Sequence, residues 1–188
     1  MRIIAGVHRG LRLAEIGQGD PAAHLRPTSD RVREAVFNVL MGGRYGDPVT
    51  GARVLDLFAG TGALGLEALS RGAAQATFVD DGKVAQALIR DNIGRTKRGA
   101  DAALLSADAT KLPPCGGNPF NLIFLDPPYA KGLGLLALQS AMAGGWIDQN
   151  ALVVWEESTP QPAPPGFVAL DQRKYGDTAV TLMRGFYP

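Results

Sequence analysis

The residues best suited to chemistry in this chain are Asp126-Pro127-Pro128-Tyr129. The exocyclic amine of a nucleobase is a poor nucleophile, because its lone pair is delocalised into the ring. Two acceptors that grip its N–H bonds draw the nitrogen toward a tetrahedral shape and free that pair. Asp126 supplies one acceptor and the Pro127 carbonyl the other. Prolines fix φ and add no competing donor, so both acceptors are held rigidly. Tyr129 adds an aromatic face on which a splayed-out base can stack, worth ~1–3 kcal/mol. A tight Pro-Pro turn after a strand is the plainer alternative.

A second constellation is Asp56-Leu57-Phe58-Ala59-Gly60-Thr61-Gly62-Ala63-Leu64-Gly65. Small residues here let a ligand approach the backbone, and the helix that follows offers unpaired N–H groups. Gly60, Gly62 and Gly65 satisfy the G-x-G-x-x-G spacing of a dinucleotide turn. Two features pull the site away from a nicotinamide cofactor. Asp56, just before the turn, would repel a pyrophosphate and welcome a ligand ammonium. A dehydrogenase also needs a substrate domain, for which 188 residues leave little room. Asp80 sits where a carboxylate can accept from both hydroxyls of a ribose, with a helix cap as the alternative. Asp81 is read as that cap. Asp108 is read equally as an acceptor for an adenine amino group or as a turn residue.

These residues need a scaffold that lines up strand ends. Residues 53–58 form a near-continuous apolar run, as in a strand buried on both faces of a parallel sheet. Helices are expected over 63–71, 83–96 and 133–143, with further strands over 76–80, 103–105, 121–125 and 152–155. Residues 167–170 and 179–184 read as a closing antiparallel pair. Alternating strands and helices imply an α/β fold: a Rossmann-like, seven-stranded, mostly parallel sheet with helices on both faces. Its ligands belong outside the carboxyl ends of the strands. Ahead of it, 2–6 and 11–16 read as a β-hairpin turning through His8-Arg9-Gly10. A helix follows, capped by Thr28 or Ser29, with Val32, Val36, Val39 and Leu40 on one face and Gly42-Gly43 at its end. The expected division is a hairpin-and-helix extension over 1–45 and the main domain over 46–188.

Hydrophobic residues are 46% and charged residues 20%, which excludes a wholly disordered chain. No apolar run approaches the ~18 residues of a spanning helix. The first residues lack the apolar core of a signal peptide, so a cytoplasmic protein is expected. Cys115 is the only cysteine, which excludes an internal disulfide and a cysteine-based metal site. His8 and His24 are too few for a metal centre, so none is expected. The net charge is +1, but residues 1–45 hold seven arginines against four acids, while residues 100–188 carry an acidic excess. A basic end on a nearly neutral chain suits a polyanion.

Several motifs in order carry a family resemblance: RIIAG…RG at 2–10, RPTSDRVREAVFNVL at 26–40, VLDLFAGTGALGLEALSRGA at 54–73, IFLDPPY at 123–129 and YGDT at 175–178. The glycine turn with an acidic end to the second strand resembles the class I methyltransferases that use S-adenosylmethionine. D-P-P-Y resembles their amino-methylating branch. The whole chain is similar to the D-type 16S ribosomal RNA guanine-N2 methyltransferases. This resemblance implies that Asp56 and the backbone of Phe58, Ala59, Gly60, Thr61 and Gly62 hold the methionine part of S-adenosylmethionine. It implies that Asp80 binds the ribose, and that Asp108 with Ala109 borders the adenine. Asp126, Pro127, Pro128 and Tyr129 would position the guanine. Arg26 and Thr28 would close over the site, while Arg2, His8, Arg9 and Arg12 would contact RNA phosphates. The implied partner is small-subunit ribosomal RNA or the assembled 30S particle, with no membrane and no metal; a monomer is plausible and nothing fixes the oligomeric state. Thr61 stands where the family often has Ser, and Asp80 where it often has Glu; both keep the chemistry.

Two other activities share some of these residues. D-P-P-Y also serves adenine-N6 methylation, and the basic end alone would serve a non-catalytic RNA-binding module. Cys115, after Pro113-Pro114, resembles the nucleophile loop of cytosine-C5 methylases, but no strand leads into it and a surface loop is expected. Trp155-Glu156-Glu157 is expected to be strand core followed by solvated acids.

Overall fold

The computed structural model describes residues 1–15 and 29–186. The helices are α1 (Asp30–Met41), α2 (Ala63–Ser70), α3 (Lys83–Thr96) and α4 (Leu133–Ala143). The strands are β1 (Arg53–Leu57), β2 (Gln75–Asp80), β3 (Ala102–Ser106), β4 (Phe120–Leu125), β5 (Ile147–Glu157), β6 (Phe167–Tyr175) and β7 (Thr178–Gly185). They form one seven-stranded sheet in the order β3-β2-β1-β4-β5-β7-β6. Strands β1 to β5 are parallel, and β7 runs antiparallel between β5 and β6. This is the Rossmann-like α/β architecture, a mostly parallel seven-stranded sheet, that the sequence implies.

The apolar strands are explained by burial on both faces. Successive strand side chains point to opposite sides. Val54, Leu122, Phe124 and Val154 join a core with α1, α2, α3 and the N-terminal residues Ile3 and Leu13. Leu55, Leu57, Ile123, Leu125 and Val153 join a second core with Ala137, Leu138 and Ala141 of α4. The chain runs outward from β1 to β3, then returns to lay β4 against the other side of β1. That reversal opens a crevice beyond Leu57 and Leu125, the place where such sheets bind ligands.

The N-terminal segment shares the first core. Its hairpin is reduced to one bridge, Arg2 to Arg12, flanked by bonds from Ile3 N to Leu11 O and Gly10 N to Ile3 O, each 2.9 Å. The segment lies on α2. Glu67 accepts from the Ile4 and Ala5 amides at 2.8 and 3.0 Å, and Ser70 Oγ accepts from the His8 amide at 3.0 Å. A Cβ at Gly6 would stand 1.8 Å from the Ser70 carbonyl oxygen, so only glycine fits there. Glu67 is fully buried and its charge is met by Arg71 at 2.7 Å and Arg33 at 3.7 Å. Arg33 also donates to the Arg2 carbonyl and to Asp30. It is therefore an internal cation, and the basic excess of residues 1–45 overstates what their surface shows. Ser29 caps α1 by accepting from Val32 N at 3.2 Å. Thr28, Arg26, His24 and Ile16 lie outside the described residues. Among the described residues, no helix is long and apolar enough to cross a membrane.

Candidate active site

The turn after β1 is built on left-handed backbone. Phe58 (φ 58°), Gly60 (φ 58°) and Gly62 (φ 77°) fall within five residues. A bulky residue in this region is strained, and such strain collects at functional sites. The turn is fixed from several sides. Ala59 N donates to Val79 O at 3.0 Å, Gly60 N to Asp80 Oδ2 at 2.9 Å, and Gly62 N to Ala59 O at 2.7 Å. The Thr61 carbonyl accepts from Asn92 of α3 at 2.8 Å. Gly65 is demanded by packing, since a Cβ there would meet the Phe78 ring at 2.4 Å and Asp56 Oδ2 at 3.1 Å.

Asp56 shares the sheet face of Val54, so its carboxylate points at α2 rather than out past the strand end. It is 1% exposed and accepts from Gly65 N at 2.9 Å. Burial pushes its pKa up to about 8, against the Gly65 hydrogen bond and with help from the Asp80 charge. Asp80 accepts from Gly60 N and Gly82 N, both at 2.9 Å, and burial raises its pKa too. Asp81 is not the cap expected for α3: the cap position is Gly82, whose amide Asp80 takes. Asp108 uses Oδ1 to cap the short 3-10 turn Ala109–Lys111, accepting from Thr110 N at 2.8 Å and Thr110 Oγ1 at 2.7 Å. Those bonds lower its pKa. Ala109 is buried beside it.

Asp126 begins the loop after β4, and its amide donates to Leu57 O of β1 at 3.3 Å. The loop therefore starts against the glycine turn. Pro127 is buried and Pro128 exposed. The Tyr129 hydroxyl donates to Glu156 Oε1 at 2.9 Å and lies 3.1 Å from Thr178 Oγ1. Burial raises the Tyr129 pKa, with added effect from the Glu156 and Asp126 charges. Ala130 is left-handed (φ 60°), and its amide donates to Glu157 Oε1 at 3.1 Å. Among the described residues, two of the three non-glycine residues with positive φ thus lie in or next to the two motifs.

Glu156 and Glu157 are each 6% exposed, not the solvated acids expected from sequence. They close β5 beneath the Asp126 loop and hold it by one hydroxyl and one amide. Thr178 comes from the YGDT motif, the tight turn between β6 and β7 where Tyr175 pairs with Thr178. The sequence carried a signal for that residue but gave it no role.

Asp108, Asp80, Asp56 and Asp126 thus come from the ends of four neighbouring strands. Three gaps of ~4.8 Å make this row ~14 Å wide. Asp108, Asp80 and Asp126 line the strand ends beside a strained glycine turn, with Asp56 turned inward beneath it, and such an acidic edge suits an elongated cationic nucleoside and disfavours a polyphosphate. The residues present fit S-adenosylmethionine in that respect. Arg2, Arg9 and Arg12 are exposed and His8 is half-buried. Cys115 lies in a loop, its amide bonded to Gly144 O at 2.7 Å. No group of three metal-binding side chains occurs among the described residues.

Comparison with known proteins agrees with this geometry. The family model described as Conserved hypothetical protein 95 matches residues 1–184. The Ribosomal RNA small subunit methyltransferase D of Escherichia coli K12 is 39% identical over 165 residues, covering 87% of this chain and 78% of the relative. The Haemophilus influenzae protein of the same name is 34% identical, covering 97% of this chain and 92% of its own. The solved structure of the Escherichia coli yhhF protein superposes with a TM-score of 0.80 at 33% identity, covering 99% of this chain and 98% of that one. The chain belongs to the family described as Conserved hypothetical protein 95, together with the small-subunit ribosomal RNA methyltransferases D.

Proposed function

We propose that this chain transfers a methyl group from S-adenosylmethionine to the exocyclic N2 of a guanine in small-subunit ribosomal RNA. The observation that supports this most is the Asp126–Tyr129 loop, braced by Glu156, Glu157 and Thr178 and set against the glycine turn. When bound, the cofactor supplies an electrophilic methyl group on a sulfonium. The chain's own work is then positioning. Asp80 holds the ribose, and Asp108 with Ala109 borders the adenine. The backbone of Phe58, Ala59, Gly60, Thr61 and Gly62 faces the methionine part. Asp56 acts from beneath, accepting from Gly65 N and so fixing the start of α2 under the turn. Asp126 and the Pro127 carbonyl accept from the guanine amine, Pro128 stiffens the loop, and Tyr129 offers its ring. The amine's surplus proton leaves to Asp126 or to water.

The segment 1–45 is the RNA-contacting extension, with Arg2, His8, Arg9 and Arg12 on phosphates.

Methyl transfer from radiolabelled cofactor, offered to small ribosomal subunits, free small-subunit RNA and duplex DNA, tests this reading. Label should appear in the RNA as a guanine-N2 methyl group. Label in DNA, or on adenine N6, would overturn it. Asp126→Ala should leave cofactor affinity by calorimetry within about twofold and reduce turnover by about 10²–10³-fold, the usual loss of a transition-state contact. Turnover near wild type would remove Asp126 from the reaction.

A further inference from the structure

On the flank of the fold, the tip of the N-terminal hairpin and the end of α3 border a shallow, open cleft of about 540 Å³. Its walls carry Val7, His8, Arg9, Arg95, Lys97 and Arg98. Four of these are permanent cations, drawn from two segments almost ninety residues apart in sequence. Arg95 is paired with Asp91 at 3.1 Å and Arg98 with Asp101 at 2.9 Å. Among the described residues, Arg9 and Lys97 have no acidic partner, so the cleft keeps a net positive charge.

The end of a helix normally presents bare carbonyls, which repel anions. Here two of them are covered. Lys97 N donates to Gly94 O at 3.1 Å and Arg98 N to Ile93 O at 3.2 Å. An anion entering the cleft therefore faces fewer bare carbonyl oxygens, set against four side-chain cations. Val7 stands in the same wall and is 78% exposed. An apolar side chain among cations suits a ligand with both a charged and a flat apolar part, which a nucleotide has and a free phosphate lacks.

Position sets the reach. Helix α3 starts just beyond the end of β2, where Asp80 lies, and the cleft sits at its other end. Fourteen residues at 1.5 Å each separate the two by about 20 Å. We propose that this cleft binds the phosphate backbone of the RNA substrate, several nucleotides from the target base, with Arg9 and Lys97 as the principal phosphate contacts. The proposal rests on the RNA reading above and adds Arg95, Lys97 and Arg98 to the surface that the hairpin alone would supply. It makes the flank of α3 part of the footprint.

The test is RNA binding by fluorescence anisotropy across a salt series, using the full chain and fragments of small-subunit ribosomal RNA. Arg9→Gln/Lys97→Gln should weaken binding and reduce the slope of log K against log salt by roughly 1.4, the value for two lost contacts to single-stranded RNA. Its cofactor affinity and thermal midpoint should match wild type. Arg90→Gln, an exposed cation on α3 outside the cleft, should change the slope by much less. Inorganic phosphate at matched ionic strength should compete no better than chloride. An unchanged slope in the double variant, an equal loss in Arg90→Gln, or selective displacement by inorganic phosphate would each overturn the cleft while leaving the methyltransferase reading intact. A wild-type chain that binds no RNA would overturn both.

Discussion

Asp56 offers the sharpest quantitative handle. Its carboxyl is buried, and its pKa rises from 3.8 to about 8. The folded protein therefore holds this proton more tightly than the unfolded chain does. Stability from this group is fully present below pH 3.8, is lost as pH rises through about 8, and is level above that. Each tenfold gain in proton affinity corresponds to about 1.4 kcal/mol, so the whole rise has a ceiling of about 6 kcal/mol. Relaxation around a charged carboxylate lowers what is observed to about 2–4 kcal/mol, still a large share of a typical domain's stability. Asp80 is shifted in the same direction and adds to the slope. Asp56→Asn keeps the shape and the acceptor for Gly65 N while deleting the titration. Urea unfolding of the cofactor-free protein from pH 5 to 9 should show the wild type weakening with pH and the variant weakening less, with the gap widest near pH 9. Parallel curves across that range, or a wild type that gains stability with pH, would refute the assignment of a protonated acid beneath the turn.

Two further substitutions probe the scaffold around the site. Tyr129→Phe removes the donor to the buried Glu156 carboxylate, so unfolding should cost about 1–3 kcal/mol less and turnover should drop with cofactor affinity unchanged; wild-type values for both would show that the hydroxyl anchors nothing. Gly6→Ala drives a Cβ to 1.8 Å from the Ser70 carbonyl at a backbone φ of +81°. It should destabilise the protein by more than about 2 kcal/mol and raise hydrogen exchange at the Ile4, Ala5 and His8 amides; native exchange at those amides would show that the hairpin docks by other means.

What could be read in the chain was what local pattern controls. Apolar runs such as 121–125 marked strands because both sheet faces are covered, and Ser29 marked a helix start because its side chain meets an amide three residues on. The Asp126 motif stood out because two prolines after an apolar strand are unusual. What escaped the reading depends on contacts between distant segments. Nothing in the sequence near Glu156 and Glu157 shows that a loop 27 residues earlier covers them. The burial of Arg33 depends likewise on Glu67 and on the Arg2 carbonyl. Asp56 is a different case. Residues 53–58 read as a strand buried on both faces, so a carboxyl inside that run was already expected to be internal, but its contact with α2 depends on the fold.

The same distant contacts join the N-terminal segment to the glycine turn. Asn92 is fully buried on α3. Its Oδ1 accepts from Ala14 N at 2.6 Å, while its Nδ2 donates to Ala14 O at 3.1 Å and to Thr61 O at 2.8 Å. One side-chain amide thus ties the returning arm of the hairpin to the middle of the glycine turn. Met1 approaches the same turn, with its Sδ 3.5 Å from Thr61 Oγ1. A buried amide left without these partners costs about 1–3 kcal/mol, so the turn and the hairpin favour each other's placement. A hairpin held in place by RNA then also holds Thr61 in place. On the proposed reading, the element that carries the basic surface is a structural part of the active site, and RNA binding and cofactor binding are expected to support one another.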